Sequence, residues 1–243
     1  MKMLTFSNRN AKEILRDPLN LIFGLGFPVV LLLLLNAIQS NIPVSLFEIA
    51  SLAPGIAVFG LSFMTLFSAT LIAKDRESSF LQRLYTTPLS AGDFILGYTL
   101  PIIPVCIGQA VICYGIAVIL GLEITVRILL SVIAILPTVI LFISLGLLCG
   151  IIFTHKQVGG ICGALLTNLS AWLSGVWFDL DLVGGIFKDI AYALPFVHAV
   201  QMERAVLSGN YSEIFPHIYW VMGYAVVIMI AAIAAFLHQM KKV

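Results

Sequence analysis

Six long apolar runs divide the chain, and they limit its possible folds more than any other feature of the sequence. They span about Leu19–Ile38, Ser51–Ala73, Phe94–Leu120, Arg127–Phe153, Val158–Trp177 and His217–Leu237. A helix needs roughly 20 apolar residues to cross the hydrocarbon core of a bilayer. The sequence therefore predicts an all-α polytopic membrane protein with six transmembrane helices.

Composition supports lipid as the solvent of this chain. Sixty per cent of its 243 residues are hydrophobic and the mean hydropathy is +1.08, well beyond the apolar share of soluble domains. A soluble core of this size could not hide that much apolar surface. We expect a single transmembrane domain over residues 1–243.

The net charge and the positions of the cysteines and histidines argue against nucleic-acid binding and metal binding. The net charge of +1 gives no basic excess for binding nucleic acid. The cysteines lie inside apolar runs without CxxC spacing, which favours packing over metal binding or disulfides. The histidines flank the runs, where solvation explains them better than a metal site does. They are His155, His198, His217 and His238.

The distribution of Lys and Arg predicts the orientation in the membrane. One set of run ends holds Lys2, Arg9, Lys12, Arg16, Lys74, Arg76, Arg83, Lys156, Lys241 and Lys242, and the other holds Arg127, Lys188 and Arg204. Cytoplasmic loops carry the excess of positive charge. Both termini and residues 74–93 are therefore expected in the cytoplasm, with the chain in the cell (inner) membrane.

The N-terminal segment, residues 1–18, is amphipathic. Residues 11–16 are good helix formers that combine Ile14 and Leu15 with charged neighbours, and the Asp17-Pro18 pair ends the helix. We expect an interfacial helix on the inner membrane surface, where its cations meet anionic lipid. The alternative is a frayed tail.

The outer segment, residues 178–216, contains apolar stretches of its own. GGIFKDIAYAL and PFVHAVQMERAVL are too short to cross a bilayer, which predicts re-entrant or surface helices that cap the outer mouth. Glu203 and Arg204 on the second stretch are candidates for contact with a cargo. A solvated or mutually paired couple is the favoured interpretation.

The segment KDRESSFLQRLYTTPLS, Lys74 to Ser90, is a polar island between two apolar runs. Its apolar residues share one helical face, away from Arg76, Gln82 and Arg83. They are Phe80, Leu81, Leu84 and Tyr85. Thr87-Pro88 ends this helix, and Ser90 and Asp93 have capping-box spacing for the next run. The island is predicted to be a short amphipathic cytoplasmic helix.

Such an element is either a passive inner loop or a handle that another protein grips and moves. Charge alone favours the passive interpretation, because charged inner loops are common. A proline turn and direct connection to two membrane helices favour the handle, which would transmit force.

KDRESSFLQRLYTTPLSAGDFILG resembles the inner segment of type-2 ATP-binding-cassette (ABC) export permeases. In that family an acidic–Arg–Glu cluster leads into a hydrophobic helix, a Thr-Pro-Leu-Ser-like turn and a glycine. RDPLNLIF followed by Pro28 resembles the family's interfacial helix and first span, and LSGVWF and ALPFVHAVQMERAVLSG resemble its outer region. The chain departs at Ser78-Ser79, where the family often has Gly-Thr.

The resemblance implies a coupling helix that docks on an ABC-type ATPase subunit. Its residues would be Asp75, Arg76, Glu77, Phe80, Leu81, Arg83 and Leu84. ATP and Mg would be bound by that partner, with no cofactor in this chain. The resemblance also implies a second permease subunit, in a homo- or heterodimer, and a role in multidrug efflux or antibiotic resistance.

The cargo implied by the resemblance is an amphipathic drug, peptide or lipid-like compound. A polysaccharide- or glycolipid-exporting permease is the alternative. A sugar channel would favour an aromatic lining, which Trp172 and Trp177 alone do not supply.

Missing sequence features weigh against other classes. No GxxxxGK[ST] occurs, so ATP hydrolysis requires a separate polypeptide, and we expect no enzyme. The runs essentially lack charges, which argues against an ion-coupled carrier. A membrane enzyme or assembly factor without a transport role would show intramembrane His, Asp or Glu clusters, which the runs lack.

Two glycine motifs predict close approach between helices. They are Gly146-x-x-x-Gly150 and Gly159-x-x-x-Gly163. Small residues at this spacing let helix backbones pack tightly in membranes. Packing within one subunit is favoured over a dimer interface.

Overall fold

The computed structural model describes residues 2–43, 45, 47–78, 80 and 90–240, except for the side chains of Lys2 and Leu19. These residues are mainly helical and contain no strand. The helices are α1 (Lys2–Leu15), α2 (Ile22–Gln39), α3 (Ile49–Glu77), α4 (Ala91–Ile119), α5 (Val126–Ile152), α6 (155–172), α7 (Gly185–Ala193), α8 (Pro195–Ser208) and α9 (Tyr211–Met240). Single turns Pro18–Leu21 and Leu180–Val183 lie between them.

Several helices are composite. The pieces are Ile22–Gly26 (π) and Phe27–Gln39 in α2, Ala91–Thr99 and Ile103–Ile119 in α4, Val126–Ala134 and Leu136–Ile152 in α5, His155–Val158, Gly159–Leu166 (π) and Thr167–Trp172 in α6, and Tyr211–Glu213 (3-10) and Ile214–Met240 in α9. The breaks in α4 and α5 fall beside Pro101 and Pro137, because proline removes a backbone donor and clashes with the preceding turn.

Five of these helices, α2, α3, α4, α5 and α9, are long and apolar enough to cross a membrane. They match five of the six predicted runs, which confirms the all-α polytopic class. The remaining run, Val158–Trp177, corresponds to α6, which is about 27 Å long at 1.5 Å per residue. Since α6 is not among the five, the six-span count stays a prediction.

The helix bundle has two ends, and each is named after a helix that it contains. We name one end the α1 face; it contains α1, residues 74–78, 80 and 90–97, the α5–α6 junction at 151–157 and the end of α9. We name the other end the α8 face; it contains α7, α8, the start of α3 and the α4–α5 loop.

The predicted capping box of Ser90 and Asp93 is confirmed at the start of α4.

Helix α3 is the central element, and it packs closely against α5. A Cβ atom added at Gly146 would lie 2.6 Å from Ser68 Cβ, and one at Gly150 would lie 2.8 Å from the Ala69 carbonyl oxygen. Thr65 Oγ1 donates to the Phe142 carbonyl at 2.9 Å. Packing within the subunit is thus confirmed for the first glycine motif.

The second glycine motif behaves differently. A Cβ added at Gly159 meets no described atom within 4 Å, while one at Gly163 would lie 3.3 Å from Leu66. The α6 surface around Gly159 is therefore open in the single subunit.

Helix α8 is held in the bundle by polar contacts. Glu203 is fully buried and accepts a hydrogen bond from the Tyr114 hydroxyl at 3.0 Å; burial raises its pKa to about 8. Arg204 donates to the carbonyls of Ser51 and Gly175. The interpretation of Glu203 and Arg204 as a solvated or mutually paired couple is therefore wrong, because each side chain binds a different helix or loop.

The two histidines of the α8 face also make contacts that sequence spacing did not reveal. His198 Nε2 lies 2.9 Å from the Tyr192 carbonyl, so this nitrogen donates and Nδ1 accepts. The His217 Nδ1 atom, 2.9 Å from His198 Nδ1, must then be the donor. This pair joins α8 to α9.

The α3–α5 contact yields a stability prediction. Gly146→Ala should lower the thermal unfolding midpoint of the purified protein, at a cost of about 1–3 kcal/mol, because the added methyl group overpacks the contact. Gly115→Ala is the matched control, since a Cβ there meets nothing within 4 Å. Equal midpoints for the two variants would contradict the tight α3–α5 packing.

Candidate functional site

The candidate site lies on the α1 face and is centred on Asp75, in the last turn of α3. Its side chain is almost fully buried. Arg9 Nη2 on α1 donates to Asp75 Oδ1 at 2.8 Å, and the Tyr98 hydroxyl on α4 donates to Oδ2 at 3.0 Å. A buried carboxylate requires such charge-assisted partners. Asp75 therefore joins α3 to both α1 and α4.

Aromatic residues surround this ion pair. The Arg9 guanidinium carbon lies 4.4 Å from the ring centroid of Phe80, a cation–π distance. Phe6, one turn before Asn10 on α1, packs edge-on against Phe94 and Tyr98 at centroid distances of 5.6 and 5.0 Å. Phe80 therefore contacts α1, the helix whose Arg9 pairs with Asp75.

The close approach of α1 to α4 depends on Gly97. A Cβ at this position would lie 2.2 Å from the Phe6 ring, so glycine alone leaves room for it. The Asn10 side-chain amide is fully buried and donates to the Gly97 carbonyl at 3.0 Å. These contacts fix α1 against the start of α4.

The next two residues of α3 bind the α5–α6 junction. Arg76 donates to the carbonyls of Ile151 and Phe153, at the end of α5. Glu77 Oε1 accepts the backbone N–H of His155 at 2.8 Å, at the first residue of α6, where a negative charge is stabilised by the helix dipole.

Three consecutive residues at the end of α3 therefore contact α1, α4, α5 and the start of α6. The end of α9 joins the same group, because Gln239 donates to the Ile151 carbonyl at 2.7 Å. Arg76 and Gln239 bind the same carbonyl oxygen, which connects α9 to this group of helices.

The structure places the sequence-predicted residues as follows. Asp75, Arg76 and Glu77 form the last turn of α3 rather than part of a separate short helix. Phe80 is half-buried against Phe6 and Arg9. The other predicted residues, Leu81, Arg83 and Leu84, lie outside the described residues. Contact of this set with an ATPase stays a prediction.

Sequence reasoning missed Phe6, Arg9 and Asn10, because it located the helical signal in residues 11–16. The helix α1 begins at Lys2, and its buried residues are Phe6, Asn10 and Ile14. Their spacing of four residues is typical of one helical face. That spacing was visible in the sequence and could have identified a face that packs on protein.

A second feature is an aromatic groove between α2, α3 and α6, with a volume of about 510 Å³. Its polar side chains are Thr167 and Asn168. Its aromatic residues are Phe23, Phe27, Phe59, Phe63, Trp172 and Trp177. Trp172 and Trp177 alone would not line a channel, but four phenylalanines from α2 and α3 join them in this groove.

Metal-ligand geometry is not found in the part of the chain that the structure describes. No group of three or more His, Cys, Asp or Glu residues there is placed to hold a metal ion.

Comparison with known protein families gives a match over most of the chain. The family model described as ABC-2 type transporter matches residues 1–207, which include the Arg9–Asp75 contact and the predicted coupling set. A search of curated proteins finds no significantly similar sequence.

The Arg9–Asp75 contact generates a double-mutant prediction. Arg9→Ala should destabilise the protein by about 2 kcal/mol, because it leaves Asp75 buried with one partner fewer. The loss should be much smaller in an Asp75→Asn background, where no buried charge remains. Thermal unfolding in detergent measures both, with Lys12→Ala, an exposed cation of α1, as control. Additive losses would contradict the ion pair.

Proposed function

Because the chain belongs to the ABC-2 type transporter family, we propose that it is the permease subunit of an ABC exporter driven by a separate ATPase subunit. The observation that carries this proposal is the set of contacts made by residues 75–77. These contacts join the start of the polar island to α1, α4, α5 and α6. A movement of the polar island would therefore reach several membrane helices.

The coupling mechanism follows from these contacts. The ATPase would bind the exposed part of the coupling segment, residues 74–93, while the buried Asp75 would fix that segment to α1 and α4. Closure of two ATPase subunits on ATP would push this segment, and α3 would transfer the push to its partners. Phe80 would carry part of it to α1, since its ring contacts both Arg9 and Phe6.

The proposed orientation places the α1 face in the cytoplasm. That face contains α1 and the Lys74–Arg76 segment, and most Lys and Arg of the chain lie at this end. A positive inner side is typical of membrane proteins. Both termini are then cytoplasmic, and the ATPase reaches its binding segment from the inside.

We further propose that the aromatic groove contacts the cargo and faces a second permease subunit. Its volume of about 510 Å³ suits a drug-sized ligand. The apolar lining, with two polar side chains at Thr167 and Asn168, suits an amphipathic drug, peptide or lipid-like molecule. The adjacent α6 surface at Gly159 leaves space for another helix to approach.

Export of a polysaccharide or glycolipid is the second candidate, and the aromatic groove is the observation that favours it. Sugars stack on aromatic rings, and Trp172 is more than half exposed. Phenylalanine offers no hydrogen bond to sugar hydroxyls, however, and it contributes four of the six rings. Amphipathic cargo remains the better fit.

The proposed function predicts a physical complex. Purification of the chain from its native membrane should bring down an ATPase of separate origin, and the complex should hydrolyse ATP. Glu77→Gln should reduce cargo movement while ATP hydrolysis continues, because it removes the negative charge at the start of α6 and so weakens the link between α3 and α6. Glu13→Gln on α1 is the control.

Movement of cargo by the chain without any ATPase would contradict the proposal. Unchanged transport in both Glu77→Gln and Leu84→Ala would contradict the coupling role of this segment, even if the ATPase is present.

A further inference from the structure

A cavity of about 570 Å³ with several charged lining residues opens on the α8 face. It lies between the start of α3, the α4–α5 loop and α8, and it shares no lining residue with the aromatic groove. Its volume falls in the range of small-ligand sites. Its charged lining residues are Glu48, Glu123, Arg127, Arg204 and Glu213.

Arg204 forms the wall between this cavity and a neighbouring one of about 460 Å³. Its Nε and Nη2 atoms donate to the Ser51 and Gly175 carbonyls at 3.2 and 3.1 Å, which leaves further N–H donors of the guanidinium group. Among the described residues it forms no ion pair. Asp179, which lines the neighbouring cavity, lies near enough to attract the Arg204 guanidinium but forms no ion pair with it. The remaining N–H donors of Arg204 therefore favour an anionic group on this wall.

Arg127 supplies a second cation on another wall. Its Nη1 atom donates to the Ser208 carbonyl at 2.8 Å, and it too forms no ion pair within the described part of the chain. The side chain is exposed and rests on Gly209, where an added Cβ would lie 2.8 Å from the guanidinium carbon. This packing orients the guanidinium group.

Two helix starts add positive partial charge to the same cavity. Helix α3 begins after Glu48 and α5 after Thr125, and neither residue caps its helix with its side chain. The first backbone N–H groups of a helix favour anions. Ile49, Ala50 and Thr125 line the cavity.

The three glutamates of the lining would repel an anion that carried no other charge. Glu48, Glu123 and Glu213 are exposed residues on the rim segments. They would attract a cationic group attached to the same ligand. The lining is therefore complementary to a molecule with one anionic and one cationic group.

We propose that this cavity binds the zwitterionic head group of an amphipathic molecule. Its anionic group lies between Arg127 and Arg204, and its cationic group lies near the glutamates. The cavity is on the face opposite the proposed ATPase contact. Binding of a head group there does not require that the chain be part of an ATP-driven exporter.

The test uses tag-free purified protein in an alkyl maltoside detergent, without any ATPase. The probes share one short alkyl chain and differ in head group: phosphocholine, phosphate or trimethylammonium. Phosphocholine without a chain is the fourth probe. Native mass spectrometry, with each probe below its critical micelle concentration, gives the number of probe molecules bound per chain and their affinity.

The expected result is one bound alkyl phosphocholine per chain, with tighter binding than either singly charged probe. Arg127→Gln and Arg204→Gln should each weaken it at least about 10-fold, the effect of losing one charged hydrogen bond. Lys188→Gln is the matched control, because Lys188 lies on α7, pairs with Asp181 at 2.6 Å and does not line the cavity. Thermal midpoints check that each variant is folded.

Three results would overturn the proposal. One is that the Arg127→Gln variant binds alkyl phosphocholine as tightly as the Lys188→Gln control does. Arg127 is exposed, so this substitution should not prevent folding. Another is binding of alkyl trimethylammonium as tight as that of alkyl phosphocholine, which would mean that the glutamates act alone. The third is equal affinity for phosphocholine with and without the chain, which would assign the cavity to a water-soluble zwitterion.

Discussion

The Asp75 carboxylate is the constraint on which the α1 face depends. It is almost fully buried at the end of an apolar helix, where an unpaired charge would be strongly destabilising. Arg9 and Tyr98 compensate it, and they belong to α1 and α4. Stabilising one charge therefore requires three separate segments of the chain to meet, and the positions of Phe6, Asn10 and Phe80 follow from that meeting.

The same end of α3 is continuous with the rest of the bundle. Arg76 and Glu77 bind the α5–α6 junction, and farther along α3 the glycines of α5 leave no space between the two helices. The end of α3 is thus connected to α1, α4, α5 and the start of α6 by side-chain contacts. The proposed ATP-driven transport requires such a connection, since its energy source would lie outside the membrane.

The sequence was sufficient for the apolar helices and the Ser90–Asp93 capping box, because hydropathy and local spacing determine both. It was insufficient for the Arg9–Asp75 pair, whose partners are 66 positions apart. The aromatic groove was missed for the same reason: Phe59 and Phe63 share a face of α3, but their neighbours on α2 and α6 depend on tertiary packing. Glu203 and Arg204 adjoin in sequence yet point to different partners, which no local pattern indicates.

The orientation of the α1 face tests the account most directly, because an ATPase can reach residues 75–84 only from the cytoplasm. Ser78 and Glu123 are exposed on opposite ends of the bundle. In intact cells, a membrane-impermeant thiol reagent should label Glu123→Cys and should label Ser78→Cys only after the membrane is opened. Labelling of Ser78→Cys from outside intact cells would contradict the account.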